Sequence, residues 1–269
     1  MRADVALVER GLARSRNHAS SLIEARRVLV GGKEVKKSSQ PIEPDALLVV
    51  LDAVEYVSRA GHKLAKALEQ FAELEVQGKS CMDVGASTGG FTDVLLRSGA
   101  ASVLAIDVGH DQMVEELRDN PRVICLEGVN AREITLESLS MMARSRFDEH
   151  SFELVVADIS FISLTLVLPA ITAVAPHADL VLLIKPQFEV GKNSLNANGI
   201  VNDHRLRAGA IKQVVASACE LGFGVNGLTR SELPGTHGNV EYLLWISSTT
   251  SPNESKWIEK IEEIAREAK

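Results

Sequence analysis

The sequence predicts an α/β protein: an open, seven-stranded and mostly parallel sheet covered on both faces, preceded by a small α+β module. Three observations carry this. From about residue 59 onward short apolar runs alternate with helical patterns, as in strand–helix–strand crossovers. The first of those strands runs into a glycine-rich stretch, "DVGASTGGFTD" at 83–93, of the kind found where a strand turns into a helix against a ligand. Charge is also unevenly spread. Residues 1–40 hold nine Lys or Arg against four acids, a balance of +5, whereas the 269-residue chain carries −7, which leaves −12 for the remainder. A basic module on an acidic body suggests division of labour.

In the leading module, Val5, Leu7, Val8 and Leu12 read as one short helix ending near Gly11. Ser15 is placed to cap a second helix, with Ala19, Leu22, Ile23 and Ala25 on one face. Val28 and Val30 alternate as in a strand, and the pair Gly31-Gly32 predicts a tight hairpin of the primed type. "ALLVVLD" at 46–52 supplies a further strand. After a link near "AVEYVS", which puts the boundary between 58 and 59, a helix through "HKLAKALEQF" leads into seven strands. They are "SCMDV", "SVLAID", "RVICLE", "FELVVAD", "ADLVLLIK", "FGVNGLT" and "VEYLLWI". Helices are predicted at about 90–97, around "QMVEELR", at "LTLVLPAITAV" and at 204–221. The terminal segment spaces Trp257, Ile258, Ile261 and Ile264 as a helix docking on the body.

The glycine loop discriminates among ligands. Its order is Asp83-x-Gly85-x-x-x-Gly89-Gly90, so it lacks the G-x-G-x-x-G of dinucleotide sites and the Lys-Ser/Thr ending of a P-loop. An acid before the first glycine would repel a pyrophosphate and suits a ligand whose near end is a cationic ammonium or sulfonium, which favours S-adenosylmethionine. Ser87 and Thr88 lie in the same turn. Asp107, 22 residues after Gly85, ends the second strand, where it can accept hydrogen bonds from ribose hydroxyls, a role nicotinamide enzymes share. Asn130, after the third strand, either approaches an adenine or caps its own turn.

Two further strands end in charge. Asp158 closes "ELVVAD" and Lys185 closes "LVLLIK", on the same rim as the glycine loop; a charge ending a buried strand is costly unless paired or used. Glu241 enters the last strand, and Lys63 lies in "SRAGHKL". The leader, "RGLARSRNHASSLIEARRVLVGGKEVKKSSQPIEPDALLVV", resembles an S4-type RNA-binding module. With "SRAGHKL", "DVGASTGGFTD", "ADISFISL", "LIKPQFEVGK" and "GNVEYLLW", nearly the whole chain resembles the TlyA (haemolysin A-like) ribosomal RNA 2'-O-methyltransferases. The resemblance implies a Rossmann-like class I methyltransferase of FtsJ type behind the S4 module, with S-adenosylmethionine as donor and a Lys-Asp-Lys-Glu set that falls on Lys63, Asp158, Lys185 and Glu241. It implies cytidine ribose in ribosomal RNA as substrate, on the large subunit (23S) and in some members also the small (16S), with Arg14, Arg16, Lys33, Lys36 and Lys37 meeting phosphates.

Chemistry supports the assignment. A ribose hydroxyl is a very weak acid, so in-line transfer from a sulfonium needs a base or an oriented oxygen lone pair. A lysine serves as base only when burial or a neighbouring cation favours its neutral form. Lys185 is expected in that role, with Lys63 as the neighbouring cation and Asp158 and Glu241 fixing the amines and the hydroxyl. The loop "GKNSLNANGIVND" at 191–203 suits either a lid over substrate or an ordinary surface loop. His204 and His237 are expected to cap or face solvent.

Cys81, Cys125 and Cys219 show neither disulfide nor zinc spacing, and no metal is expected. No apolar run reaches a membrane span, so a cytoplasmic protein with no membrane partner is expected; a monomer is expected as well. Three rival readings stand: a nicotinamide oxidoreductase, disfavoured by the glycine spacing; a non-catalytic ribosome-binding or assembly factor; and a pore-forming haemolysin, which no span or barrel-like alternation supports.

Overall fold

A computed structural model describes residues 1–50, 56–144, 152–235 and 238–267, which form two compact units, Met1–Glu55 and Tyr56–Lys269. In the first, α1 (Ala3–Glu9) and α2 (Arg16–Glu24) precede β1 (Val28–Val30), β2 (Lys33–Glu34) and β3 (Leu48–Val50). Ser15 caps α2, its hydroxyl accepting from the His18 amide at 3.2 Å. Gly31 and Gly32 have φ of +54° and +79°, the two positive values of a primed turn, and close the β1–β2 hairpin at the Val30–Lys33 pair. Strand order is β2-β1-β3, all antiparallel. The expected strand at 46–52 is shorter, and residues 51 and 52 lie outside the described residues. Leu7, Leu22, Ile23, Val28 and Leu48 form the unit's core.

The second unit begins with α3 (Arg59–Gln70) and builds its sheet from β4 (Ser80–Val84), β5 (Ser102–Asp107), β6 (Val123–Glu127), β7 (Leu154–Ala157), β8 (Asp179–Ile184), β9 (Gly224–Arg230) and β10 (Tyr242–Ser247). Strand order is β6-β5-β4-β7-β8-β10-β9. β4 to β8 pair in parallel, and β10 runs antiparallel to both β8 and β9. The order reverses at β4, so the carboxyl ends of β4 and β7 flank the crevice where such sheets bind ligands.

Helices cover both faces. Leu64 and Ala67 of α3, Phe91 and Leu95 of α4 (Gly90–Arg97), and Leu117 of α5 (Glu115–Arg118) pack on one side. Leu139 of α6 (Leu136–Ala143), Ile171 of α7 (Leu168–Val174), Val214 of α9 (His204–Glu220) and Ile261 of α10 (Ile258–Arg266) pack on the other. α10 docks as its spacing predicts, with Ile261 and Ile264 buried and the Lys212 amine 2.5 Å from Glu262.

Several elements differ from expectation. The helix expected around 112–118 is only the single turn α5, because Asp111 takes φ +55° and the Gln112 amide turns aside to Glu127. The run 164–174 breaks into a 3-10 turn at Leu164–Leu166 and then α7, since Pro169 tolerates only the first helical turn. α6 was not anticipated; Thr135 and Ser138 cap it reciprocally. Nor was α8 (Pro186–Glu189), the one turn after Lys185.

Candidate active site

The site assembles at the carboxyl rim of β4, β7 and β8. Gly85, one residue past β4, has φ +83°, and a Cβ there would come within 2.6 Å of the Asp158 carbonyl oxygen. Only glycine permits that conformation and that approach. It brings the loop after β4 against the end of β7, where the Asp158 amide donates to Val84 O at 3.0 Å. Gly61, inside α3, plays the corresponding part for the helix: a Cβ there would meet Gly90 O at 2.9 Å. α3 thereby packs against the start of α4 and carries Lys63 to the rim.

Two ion pairs stand there. Lys63 Nζ donates to Glu241 Oε2 at 2.5 Å, both buried. Lys185 Nζ lies 2.6 Å from Asp158 Oδ1 and donates to Ser160 Oγ at 2.7 Å. Among the described residues Asp158 Oδ1 meets no donor along a hydrogen-bonding direction, so its contact with Lys185 is an ion pair off those directions. Tyr242 pairs with Ile184 across β10 and β8, and the antiparallel register continued by one step sets Glu241 opposite Lys185. The four residues singled out in the sequence therefore gather on one rim, as two pairs.

A cleft of about 150 Å³ opens beside them, lined by Ser58, Ala60, the loop residues Gly85, Ser87, Thr88 and Gly90, and Asp158, Ser160 and Lys185. A larger groove, about 340 Å³, lies elsewhere between Gln70, β9 and α10 and contains none of these residues.

The acids of the loop differ in environment. Asp83 is fully buried; loss of water pushes its carboxyl up to about 7, against the lowering influence of the Thr92 hydroxyl, which donates to Oδ2 at 2.6 Å. Oδ1 has no hydrogen-bond donor among the described residues. The simple expectation of a carboxylate facing a cation thus becomes an enclosed carboxyl that a nearby cation would favour in its ionised form. Asp107 accepts from the amides of Ser87 at 2.8 Å and Gly109 at 2.7 Å, which shapes the loop and leaves further lone pairs on the carboxylate. The cleft is lined by the glycines and hydroxyls of the loop after β4, with Asp83 buried at the β4 end behind it and Asp107 tied to the same loop through the Ser87 amide, a setting suited to a donor carrying an amino acid, a sulfonium and a ribose.

Asn130 is exposed, with both ends of its carboxamide engaged in its own turn, Nδ2 to Glu133 at 2.8 Å and Oδ1 from the Arg132 amide at 3.1 Å. Of the two roles open to it, capping is the one the structure displays. The 191–203 loop is tied down in its second half: Asn196 Oδ1 accepts from the Asn198 and Ile200 amides, and Asn239 and Arg207 bind the Gly199, Val201 and Asn202 backbone. That half is a braced turn. His204 follows the α9 cap Asp203, with Nδ1 3.8 Å from that carboxylate, and His237 lies outside the described residues.

In the first unit Arg14, Lys33, Lys36 and Lys37 are exposed. Arg16 is different. It donates to the buried Asp4 at 3.0 Å alongside Arg2, and the hydrogen bonds from Arg2 and Arg16 hold the Asp4 carboxyl well below its usual range.

Some residues at the site gave no signal of their own role. Ser160, Phe161 and Phe188 sat inside quoted motifs without one. Phe161 has φ +68° and is 90% exposed, 5.3 Å from the Phe188 ring, which itself lies 6.0 Å from Lys185 Nζ. Gly61 was visible as a glycine in a helix interior, a position that usually has a packing reason. Glu189 of α8 is buried, its carboxyl raised by burial, and it accepts from Ser163 Oγ at 2.5 Å and the Leu164 amide at 2.9 Å.

Among the described residues no helix is long and apolar enough to cross a membrane, and no group of three or more His, Cys, Asp or Glu is placed to hold a metal.

Comparison with known proteins matches residues 56–248 to the FtsJ-like methyltransferase family and residues 1–48 to the S4 domain. The chain is 49% identical over 252 residues to the 16S/23S rRNA (cytidine-2'-O)-methyltransferase TlyA of Mycobacterium tuberculosis, covering 93% of this chain and 90% of that protein. It is 38% identical to Hemolysin A of Brachyspira hyodysenteriae, over 90% of this chain and 98% of the other. A solved structure described as a hemolysin from Streptococcus thermophilus superposes with a TM-score of 0.74 at 36% identity, covering 100% of this chain and 95% of that one. The crevice at the β4 switch point, the Lys-Asp and Lys-Glu pairs on its rim and these matches together establish that the chain belongs to the FtsJ-like methyltransferases that carry an S4 domain in front.

Proposed function

We propose that this protein transfers a methyl group from S-adenosylmethionine to the 2'-hydroxyl of a cytidine in ribosomal RNA. The observation that supports it most is the meeting of the glycine-lined crevice with the Lys185–Asp158 and Lys63–Glu241 pairs on one sheet rim. The M. tuberculosis relative, named for that reaction on 16S and 23S rRNA, supports the substrate.

S-adenosylmethionine supplies an electrophilic methyl group on a sulfonium. The turn at Gly85 admits the donor's amino-acid end, Asp83 offers an enclosed acid behind that turn, and Asp107 is placed for its ribose. Lys185 takes the proton of the acceptor hydroxyl as the new O–C bond forms, and Asp158 stabilises the resulting ammonium. Lys63, held by Glu241, is the second lysine of the rim and fixes Glu241 beside it. Phe161, exposed beside Phe188, gives an extruded base an aromatic face to stack on. Arg14, Lys33, Lys36 and Lys37 meet RNA phosphates.

The test is to incubate the protein with donor carrying a labelled methyl group and with ribosomal subunits from cells lacking the gene, then map 2'-O-methyl marks. Label at a single cytidine of 23S or 16S RNA supports the proposal; label on a base, or none on either subunit, overturns it.

A further inference from the structure

The pairs on the rim account for the charges around Lys185, but not for the direction in which its amine points. The Asp158 contact, at 2.6 Å and off the hydrogen-bonding directions, attracts the amine without orienting it. The oriented contact is the one to Ser160, whose Oγ accepts from Nζ at 2.7 Å. Ser160 is exposed and lines the same cleft as Gly85, Ser87 and Lys185.

Its position is fixed from both sides. Two residues earlier, the Asp158 amide is bound to the end of β4 through Val84 O. Immediately after, the backbone reverses at Phe161, with φ +68°, and the chain is then clipped to α8 by the buried Glu189 carboxylate, which holds both the Ser163 hydroxyl and the Leu164 amide. α8 follows directly on Lys185, so one short turn sets the position of the lysine and, through Glu189, of the serine that meets it.

We propose that Ser160 is a positioning residue for methyl transfer, acting through Lys185: by accepting one N–H it fixes rotation about the terminal bond, so that the Nζ position that receives the proton faces the acceptor hydroxyl in the cleft. The inference rests on the reading of Lys185 as the base. In the step, the hydroxyl proton passes to Nζ, the oxygen electron pair forms the O–C bond, and the C–S bond breaks with its electrons on sulfur. Without Ser160 the amine keeps its attraction to Asp158 but turns freely, and the fraction of encounters with that position in line falls.

The experiment compares wild type, Ser160→Ala, Ser160→Thr and Lys185→Ala in single-turnover and steady-state methylation of ribosomal subunits, with donor affinity measured by calorimetry. Ser160→Ala is expected to lower kcat by roughly 10- to 100-fold, with KM for RNA and donor Kd within about 3-fold of wild type. Ser160→Thr, which keeps the hydroxyl, is expected to recover kcat to within about 5-fold. An active Ser160→Ala beside an inactive Lys185→Ala overturns the role of Ser160 alone. A loss confined to KM or donor Kd, or no recovery by threonine, overturns it equally, because the serine would then serve only loop packing or binding. An active Lys185→Ala removes the base itself, and with it the reading on which the inference rests.

Discussion

Lys63 and Glu241, 178 residues apart in sequence, meet at 2.5 Å in a buried ion pair between α3 and the start of β10. The contact joins the first helix of the methyltransferase unit to the strand inserted last into its sheet, so it is both a fastening of the fold and part of the candidate site. Removing one partner leaves a buried charge unpaired. Lys63→Ala is expected to cost about 3–5 kcal/mol in urea unfolding. The double variant Lys63→Met/Glu241→Leu should recover much of that stability and none of the methyl transfer. Activity in the double variant would show the pair to be structural only.

Lys185→Ala should abolish turnover while leaving donor affinity within about 3-fold, since the cleft keeps its glycine loop. Calorimetry beside a methylation assay separates the two. Unchanged methylation would remove Lys185 from the mechanism.

Gly85→Ala places a side chain at φ +83° and against the Asp158 carbonyl. A stability loss of about 1–3 kcal/mol is expected, with a larger fractional loss of activity because Asp158 itself is displaced. Thermal melts and kcat report the two effects.

Asp83 gives a pH dependence whose sign follows from burial. Its folded value, about 7, stands above the ordinary 3.8, so the native state holds the proton more tightly than the unfolded chain. The contribution is full at pH below 3.8 and is lost as pH rises through about 7. Asp83→Asn, which keeps an acceptor for Thr92, should flatten the fall in urea stability between these limits, by up to about 1.4 kcal/mol per pH unit. The same variant should weaken donor binding. An identical pH slope in variant and wild type would mean that Asp83 is ionised throughout.

Arg14 and Arg16 are separable by stability rather than by salt. Both are exposed, but the Arg16 guanidinium also holds the buried Asp4. Arg14→Ala should reduce the slope of log affinity for RNA against log salt by about 0.7 and leave stability alone. Arg16→Ala should in addition lower the melting temperature of the leading unit, because Asp4 loses one of its two partners. Equal melting temperatures would show Arg2 to suffice. A salt-insensitive complex would count against the basic unit as the RNA surface.

Local rules made much of this legible. Strand positions followed from apolar runs, the hairpin from Gly31-Gly32, the cap from Ser15 and the docking of α10 from its spacing, since each depends on residues near in sequence. The shortening of α5 and the break before α7 were less legible, because a hydrogen bond to Glu127 and the place of Pro169 in the first turn outweighed helical periodicity. The strand order, with β10 set between β8 and β9, left no local trace.

At the site the same division holds. The sequence by itself determined which groups are available: a glycine turn after β4, an acid at the end of β5, and two lysines and two carboxylates at element ends. Only the tertiary structure decided how they pair. Lys63 goes with Glu241, Lys185 with Asp158 and Ser160, Arg16 with Asp4, and Asn130 with its own turn. The physical reason is range. Backbone conformation and burial patterns are fixed by neighbours a few residues away, whereas a partner for a charge is chosen by the register of strands and the approach of helices, which bring together groups from opposite ends of the chain.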